Sequence, residues 1–223
     1  GGHGDYRNIV LAPASVQELA DLTVLAFDLA DQYKIVVMIA GDGFLGQMSE
    51  SLVLPQPTGK KFDKSSWALT GNAGRKSHII MSIRLNPEDA LEKVNIRLQK
   101  KYREIEKNEV RFEAYQAEGA DYLLVGFGTA SRIVRAAVNT LRRDGIKAGL
   151  FRPITLWPFP SQALAEAAAG KKKLLDVEMN SGQMLEDIRL AIGDKVACDH
   201  YGKMGGVVPD VEEIVERVKK YEG

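Results

Sequence analysis

A strand–helix–strand pattern near the start of the chain constrains its fold more than any other feature. Two short apolar runs, Asn8–Ala12 and Ile35–Ala40, flank one helical segment, and the second run is unbroken and rich in β-branched residues. The apolar positions of the helical segment recur at helical spacing: Leu19, Leu22, Ala26 and Leu29. Successive strands joined through a helix lie parallel, and an unbroken apolar run suits a strand covered on both faces. The pattern therefore predicts an α/β fold.

Sequence details place the start of this helix and a candidate ligand-binding edge. Ser15-Val16-Gln17-Glu18 has the form of a capping box, in which the serine accepts from the Glu18 amide and the Glu18 carboxylate accepts from the serine amide. Gly41–Gly46 leaves the carboxyl end of the second strand, where open α/β sheets place their ligands. The polar stretch from Pro55 to His78 predicts a long surface loop with a functional or interfacial role.

Residues 86–118 predict a linker helix. Asn86 is a candidate N-cap and Pro87 a suitable first helical residue, with acidic residues following in the first turn. A narrow apolar stripe on an otherwise charged segment continues toward Gln116, where we expect the helix to end. Such a helix lies against another part of the protein along one face.

Residues 119–223 predict a second α/β domain built on a doubly wound parallel sheet. Strands are expected at 121–125, 147–151, 174–177 and 196–199, and helices at 130–143, before Gly170, at 183–192 and after the capping residue Asp210. Regular alternation of strands and helices is typical of such sheets.

Composition excludes several classes of function. Lys plus Arg and Asp plus Glu number 30 each, so the formal net charge is zero and nothing favours a nucleic-acid or anionic-membrane partner. The single cysteine, Cys198, excludes an internal disulfide and an all-cysteine metal cluster, and fits a reducing cytoplasm. The sequence has neither a signal-peptide pattern nor an apolar run near the roughly 20 residues that span a bilayer.

The chain opens with Gly1–Tyr6, lacks an initiating methionine and reaches its first predicted buried strand almost at once. We expect a fragment that lacks an N-terminal part of its first domain. The alternative is a cloning remnant in front of a natural start.

The segment Gly126–Ser131 has the form G-x-G-x-x-S between a predicted strand and a helix. A dinucleotide-binding loop would have a third glycine at position 131 and an acid at the end of the next strand, where Arg152 stands. An arginine suits a 2′-phosphate, so an NADP-binding oxidoreductase domain stays open beside a purely structural turn, which we favour.

Histidine and cysteine positions give no recognisable catalytic or metal-binding spacing. His3, His78 and His200 are far apart in the sequence, and we interpret His200 as an ordinary loop histidine that could also face a cleft. Cys198 lies in an apolar strand without an activating base, which indicates a buried small hydrophobe.

Several separated motifs resemble one known family. The first domain contains GGHGDYRNIVLAP, ASVQELADLTVLAFDLADQYK and IVVMIAGDGFLGQMSE, and the second contains DYLLVGFGTASRIVRAAVNTLRRDGIKAGLFRPITLWPFP and YGKMGGVVPDVEEI. These segments are similar to the α subunit of 2-oxoacid:ferredoxin oxidoreductases, most of all to the 2-oxoisovalerate (branched-chain) type. The resemblance implies that residues 1–85 form the C-terminal half of a thiamine-diphosphate pyrimidine-side domain. Residues 119–223 would form a transketolase-C-terminal-like domain.

The resemblance also implies an activity and a division of labour. Enzymes of this family convert a 2-oxoacid and coenzyme A to acyl-coenzyme A and carbon dioxide, and reduce ferredoxin. Thiamine diphosphate with magnesium would be shared with a partner subunit, and iron–sulfur clusters would lie on another subunit. We expect none of these groups to be bound by this chain alone.

The family's pyrimidine-activating glutamate and substrate-binding arginine segment would precede Gly1, so the resemblance transfers no catalytic residue. His3, Asp5, Asp42 and Phe44 are the candidates for the cofactor cleft or a subunit interface. A non-catalytic assembly module is the remaining alternative.

Overall fold

The computed structural model describes residues 4–71, 74, 76 and 87–223. His3, His78 and Asn86, which figured in the sequence predictions, lie outside these residues. Within the described residues, no helix combines the length and apolar character needed to cross a membrane.

The first sheet contains the predicted parallel crossover. Strand β1 (Ile9–Leu11) runs through helix α1 (Val16–Tyr33) to β2 (Val37–Ile39), and the two strands pair in parallel. A third strand, β6 (Thr155–Trp157), pairs antiparallel with β1 and gives the order β2–β1–β6. Sequence patterns did not predict β6. The later part of the chain therefore contributes a strand to the first sheet, and β2 is an edge strand within the described residues.

In the part of the chain that the structure describes, the second sheet has five strands in the order β3–β5–β4–β7–β8. They are β3 (Phe112–Tyr115), β4 (Tyr122–Val125), β5 (Ala148–Pro153), β7 (Lys173–Glu178) and β8 (Cys198–Gly202). Strands β5, β4, β7 and β8 pair in parallel, and the edge strand β3 pairs antiparallel with β5. The predicted doubly wound sheet is confirmed, although β8 begins two residues and ends three residues later than the predicted 196–199.

Helices cover both faces of this second sheet, as a doubly wound fold requires. Helices α3 (Gly128–Arg143) and α6 (Val211–Lys219) pack on one face, and α4 (Ser161–Ala168) and α5 (Gln183–Ile192) on the other. Helix α2 (Ala90–Asn108) instead packs on the first sheet, where Tyr102 meets Trp157 edge to face.

The predicted bounds of the linker helix were wrong at both ends. Helix α2 begins at Ala90 rather than Pro87, after a turn in which the Pro87 carbonyl accepts from the Ala90 amide. It ends at Asn108, and residues 112–115 form strand β3 instead of continuing to Gln116. The cause is a tertiary contact: the buried Glu109 carboxylate accepts from the hydroxyl of Tyr33 at 2.7 Å and from Arg111 at 2.9 Å. Those bonds turn the chain into the sheet.

The predicted capping box of α1 forms only its first half, and the Asp210–Glu213 segment at the start of α6 behaves in the same way. The Ser15 hydroxyl accepts from the Glu18 amide, but the Glu18 carboxylate accepts from the Ala14 amide at 2.7 Å rather than from Ser15. Asp210 caps α6, while Glu213 is turned away toward the hydroxyl of Tyr201. In each case a partner elsewhere in the fold takes the returning glutamate. The predicted loop after Pro55 has neither helix nor strand in its described part.

Candidate functional site

The loop after β2 meets the start of α3 through Asp42. One carboxylate oxygen of Asp42 accepts from the Thr129 amide at 3.0 Å, and the other accepts from the Thr129 hydroxyl at 2.9 Å. The second oxygen also accepts from the Leu45 amide at 2.8 Å. A carboxylate at a helix N-terminus neutralises the positive end of the helix dipole. Asp42 therefore joins the two sheets as a capping residue supplied from a distance.

Gly128 makes this approach possible. Its φ is +55°, in the left-handed region that favours glycine, and a Cβ there would lie 3.0 Å from a carboxylate oxygen of Asp42. The Gly126–Ser131 segment is thus a structural turn in which the Thr129 amide is already satisfied by a carboxylate. A dinucleotide phosphate would have to displace that carboxylate.

Arg152 is equally committed to protein contacts. Its two terminal nitrogens donate to the two carboxylate oxygens of Glu18 at 2.7 Å each, and its side chain is 9% exposed. Arg152 Nε lies 3.2 Å from a Glu113 oxygen but makes no hydrogen bond among the described residues. Burial alone would raise the pKa of Glu18, but the hydrogen bonds from Arg152 and Ala14 outweigh it and the pKa is lowered. This pairing argues against the NADP interpretation.

A second ion pair fixes the same junction. Glu50 accepts from the Val16 amide at 2.9 Å and from Arg132 at 2.7 Å. The backbone hydrogen bond from Val16, followed by the one from Arg132, lowers the pKa of Glu50. Glu18, Arg152 and Arg132 line a cleft of about 600 Å³ between α1, α3 and β5. The cleft carries both signs of charge, and its arginines pair with carboxylates.

The structure separates the predicted site residues. Asp42 and Phe44 lie on one turn at the junction, and the Phe44 side chain is 51% exposed beside the short 3₁₀ turn Leu45–Gln47. Asp5 is exposed and lines a different groove, against α2. His3 lies outside the described residues. Of the four candidates, the structure brings together only Asp42 and Phe44.

A buried constellation that the sequence analysis missed lies near the carboxyl ends of β7 and β8. Asp176 and Glu178 are both 0% exposed, and one potential ligand atom from each, with one from His200, fall within 4.8 Å of one another. His200 Nδ1 lies 2.6 Å from Asp176 Oδ2. Burial, and next the Glu178 carboxylate, raise the pKa of Asp176 to about 9. The interpretation of His200 as a loop residue was wrong, because it lies within β8.

Glu178 also organises the start of α5. Its carboxylate accepts from the amides of Met184 and Leu185 and from the side chain of Asn180, at 2.8–3.2 Å. These bonds satisfy the helix N-terminus and keep Glu178 in place under the helix. Two acids at alternate positions of the apolar run LLDVE were the available sequence signal, since both face buried surroundings.

The Cys198 thiol lies in surroundings that do not activate it as a nucleophile. Burial, and next the Asp176 carboxylate, raise the pKa of the Cys198 thiol to about 12. A thiol with such a raised pKa is protonated at neutral pH and is a poor nucleophile.

Comparison with known proteins assigns this architecture to a family. Residues 3–115 match the thiamine-diphosphate-binding domain model of pyruvate flavodoxin/ferredoxin oxidoreductases, and residues 120–214 match pyruvate:ferredoxin oxidoreductase core domain II. The chain therefore belongs to the pyruvate flavodoxin/ferredoxin oxidoreductase family. The resemblance found in the sequence motifs is confirmed.

Two relatives and one solved structure show which subunits and enzymes of this family the chain is similar to. The chain is 46% identical over all 223 residues to ketoisovalerate oxidoreductase subunit VorB of Methanothermobacter marburgensis, and it spans 63% of that relative's length. It is 31% identical to the 2-oxoglutarate synthase subunit KorA of the same organism, covering 98% of this chain and 65% of the relative. A solved 2-oxoglutarate:ferredoxin oxidoreductase from Magnetococcus marinus superposes with a TM-score of 0.81 at 25% identity, over 100% of this chain and 43% of the other.

The described residues do not by themselves fit a bound thiamine diphosphate. At the junction, each oxygen of Asp42 accepts a hydrogen bond, and Glu18 and Glu50 are paired with arginines. These three carboxylates are therefore engaged by protein groups and are not placed to receive the aminopyrimidine. We derive no catalytic step through that cofactor from this chain alone.

Proposed function

We propose that this chain is the larger part of a subunit of a 2-oxoacid:ferredoxin oxidoreductase acting on 2-oxoisovalerate. The reaction would oxidatively decarboxylate the 2-oxoacid, transfer the acyl group to coenzyme A and reduce ferredoxin. The observation that carries the proposal is the 46% identity to a ketoisovalerate oxidoreductase subunit over the whole chain. The identity to 2-oxoglutarate synthase subunits is lower, at 31%, which favours the branched-chain substrate.

The solved relative supports the wider substrate class. Its structure holds 2-oxoglutarate, coenzyme A and succinyl-CoA, and it shares the fold of this entire chain. A 2-oxoacid and coenzyme A are accordingly the substrates we propose here. NADP binding would need the Thr129 amide and the Arg152 guanidinium to bind phosphate, and these groups already bind Asp42 and Glu18. The structure of this chain therefore gives no comparable support to the NADP-binding alternative.

We propose that the cofactors are held by the assembled complex rather than by this chain. Thiamine diphosphate, which supplies the ylid and the electron sink when bound, and its magnesium would be shared with a partner subunit. Iron–sulfur clusters would lie on another subunit, since their usual ligands are several thiolates and this chain has one cysteine. Phe44, half exposed on the junction turn, is our first candidate for contact with the cofactor or the partner, followed by Asp5 and His3.

The test is a substrate comparison with the full-length subunit co-purified with its partner subunits. We expect viologen-dye reduction that requires a 2-oxoacid, coenzyme A and thiamine diphosphate. kcat/KM should be highest for 2-oxoisovalerate and exceed that for pyruvate by roughly tenfold or more, since one methylene in an apolar pocket contributes roughly 10–200-fold. Dye reduction with none of the 2-oxoacids tested would refute the proposal. A complex that forms but is inactive would support a purely structural module instead.

A variant pair tests the role of Phe44. Phe44→Ala should lower the activity of the complex or weaken its assembly, whereas Leu190→Ala should do neither. Leu190 is the matched control because it is 84% exposed on α5, in the second domain. Equal activity and assembly of the two variants would remove Phe44 from the proposed contact.

A further inference from the structure

The proposed oxidoreductase reaction gives no role to the cluster of Asp176, Glu178 and His200. Two carboxylates are fully buried side by side, and among the described residues neither forms an ion pair with a lysine or arginine. Buried carboxylates are costly unless a proton or a cation neutralises them. The imidazole of His200, 24% exposed, forms the solvent-facing side of the cluster.

One carboxylate oxygen of this cluster lacks a hydrogen-bond partner among the described residues. Asp176 Oδ2 contacts His200 Nδ1, whereas Asp176 Oδ1 is buried and has no hydrogen-bond partner in the described part of the chain. Buried polar atoms without a partner are rare in folded proteins, and each of them calls for an explanation such as an unseen ion. A cation within reach of Oδ1 would satisfy it.

The surrounding strands and glycines hold these side chains in a fixed arrangement. Parallel pairing of β7 and β8 places Asp176 opposite His200 and Glu178 opposite Gly202. A Cβ at Gly202 would lie 2.5 Å from His200 Nε2, and a Cβ at Gly182 would lie 3.3–3.5 Å from the imidazole ring atoms. The two glycines therefore leave the space that the imidazole occupies. The ligand atoms lie on adjacent strands, which position them more accurately than loops would.

Outer contacts orient the Glu178 carboxylate as they do in known metal sites. Amides at the start of α5 and the Asn180 side chain, none of them a proposed ligand, donate to Glu178 and fix its carboxylate. Hydrogen-bond partners of this kind commonly fix the ligands of a metal ion. One imidazole and two carboxylates form the three-ligand set that first-row divalent cations accept, with water completing the coordination.

We propose that Asp176, Glu178 and His200 form a binding site for a first-row divalent cation, for which Zn²⁺ is the probe. The site is separate from the sheet junction, and it requires neither the proposed reaction nor a partner subunit. Its cation neutralises the buried carboxylates and ties β7, β8 and the start of α5 together.

The experiment uses the isolated full-length subunit, stripped with a chelator, so that metals on other subunits do not contribute. Titration with Zn²⁺ by calorimetry should give one saturable site, and Co²⁺ should give visible d–d absorption at the same stoichiometry. Asp176→Asn and His200→Gln should each weaken Zn²⁺ binding by about 100-fold or more, because each removes a proposed ligand and even outer contacts account for 10–100-fold. Zn²⁺ should raise the thermal midpoint of the unaltered protein but not of these variants.

Asp199→Asn is the matched control, since Asp199 neighbours His200 on β8 but pairs with Lys173 and is 46% exposed. It should bind Zn²⁺ as tightly as the unaltered protein. Absence of saturable Zn²⁺ binding would overturn the proposal and assign the neutralising role to a proton. Unchanged binding in His200→Gln, a folded variant by circular dichroism, would overturn it as well, even if Asp176→Asn failed to fold.

Discussion

Replacing Glu18 by glutamine tests the connection between the two sheets. Glu18 on α1 accepts two hydrogen bonds from Arg152 on β5, and both side chains are mostly buried, with 23% and 9% exposed. Glutamine keeps the size of the side chain and one acceptor for the Ala14 amide. It removes the negative charge and one of the two acceptors for Arg152.

The magnitude follows from the burial of the partner. Removing one member of a buried ion pair costs about 3–5 kcal/mol, because the other charge is left without compensation. Here a Glu113 oxygen remains 3.2 Å from Arg152 Nε, and it retains part of the compensation. We therefore expect Glu18→Gln to lower the free energy of unfolding by about 2–3 kcal/mol. At about 2–4 °C per kcal/mol for a chain of this size, the midpoint should fall by roughly 4–12 °C.

The lowered pKa of Glu18 also predicts how its contribution to stability changes with pH. The pKa of Glu18 is lowered in the folded protein from its ordinary value of 4.5, so the stabilisation is fully present above that value. It should disappear as the pH falls through the folded-state pKa. The difference in stability between the unaltered protein and Glu18→Gln should accordingly be constant near neutral pH and shrink in acid below about pH 4.5.

Urea denaturation followed by circular dichroism at several pH values measures these quantities. Glu106→Gln is the control, because Glu106 is exposed on α2 and its replacement should change the stability by less than about 0.5 kcal/mol. A loss below about 1 kcal/mol for Glu18→Gln at neutral pH would refute the reasoning, because an exposed ion pair would give that value. A difference that grows as the pH falls would refute it too.

Three further perturbations address the rest of the fold. Asp42→Ala should lower the free energy of unfolding by about 1–2 kcal/mol in urea denaturation, as the loss of a helix cap does, and an unchanged value would show that Thr129 needs no cap from another domain. Gly149→Ala should destabilise the chain by about 1–3 kcal/mol or more, because its Cβ would lie 2.6 Å from a backbone oxygen. Gly46→Ala is the control, since its Cβ would meet open space, and equal calorimetric midpoints of the two variants would contradict this expectation. We expect the isolated chain to self-associate through the edge strand β2, so Met38→Lys, which places a charge on this exposed edge, should shift it toward monomer in sedimentation; an unchanged sedimentation coefficient would contradict this.

The sequence patterns predicted most of the second domain because local and global signals agree there. Helix α5 was predicted at 183–192 and is found at Gln183–Ile192, and the capping residue Asp210 begins α6 as expected. The apolar strands of this domain are covered on both faces, so their composition alone identifies them. The parallel crossover of β1, α1 and β2 was predictable for the same reason.

The errors came from contacts between residues far apart in the chain. Strand β6 pairs with β1 across more than 140 residues, and local patterns carry no information about such a partner. The early end of α2 depends on the buried bond between Glu109 and Tyr33, which lies on another helix. Glu18 has the sequence position of a capping-box residue, yet its carboxylate is used by Arg152.

The candidate sites show the same limit. Asp42 was predicted to follow the carboxyl end of β2 as a candidate cofactor or interface residue. The structure shows it there as a helix cap, and its contact with a cofactor or partner stays a prediction. The constellation of Asp176, Glu178 and His200 depends on the register of two parallel strands, which spacing along the chain does not reveal. Family resemblance supplied the proposed reaction, and local chemistry alone would have left only a two-domain α/β protein.

Reconstitution of the complex shows whether this chain is a required subunit of a 2-oxoacid:ferredoxin oxidoreductase. Partner subunits purified without this polypeptide should be mixed with increasing amounts of the full-length protein, and dye reduction should be followed with 2-oxoisovalerate, coenzyme A and thiamine diphosphate. The account predicts no activity from either component alone and a rise that saturates at a fixed stoichiometric ratio. Full activity of the partner subunits in the absence of this protein would contradict it.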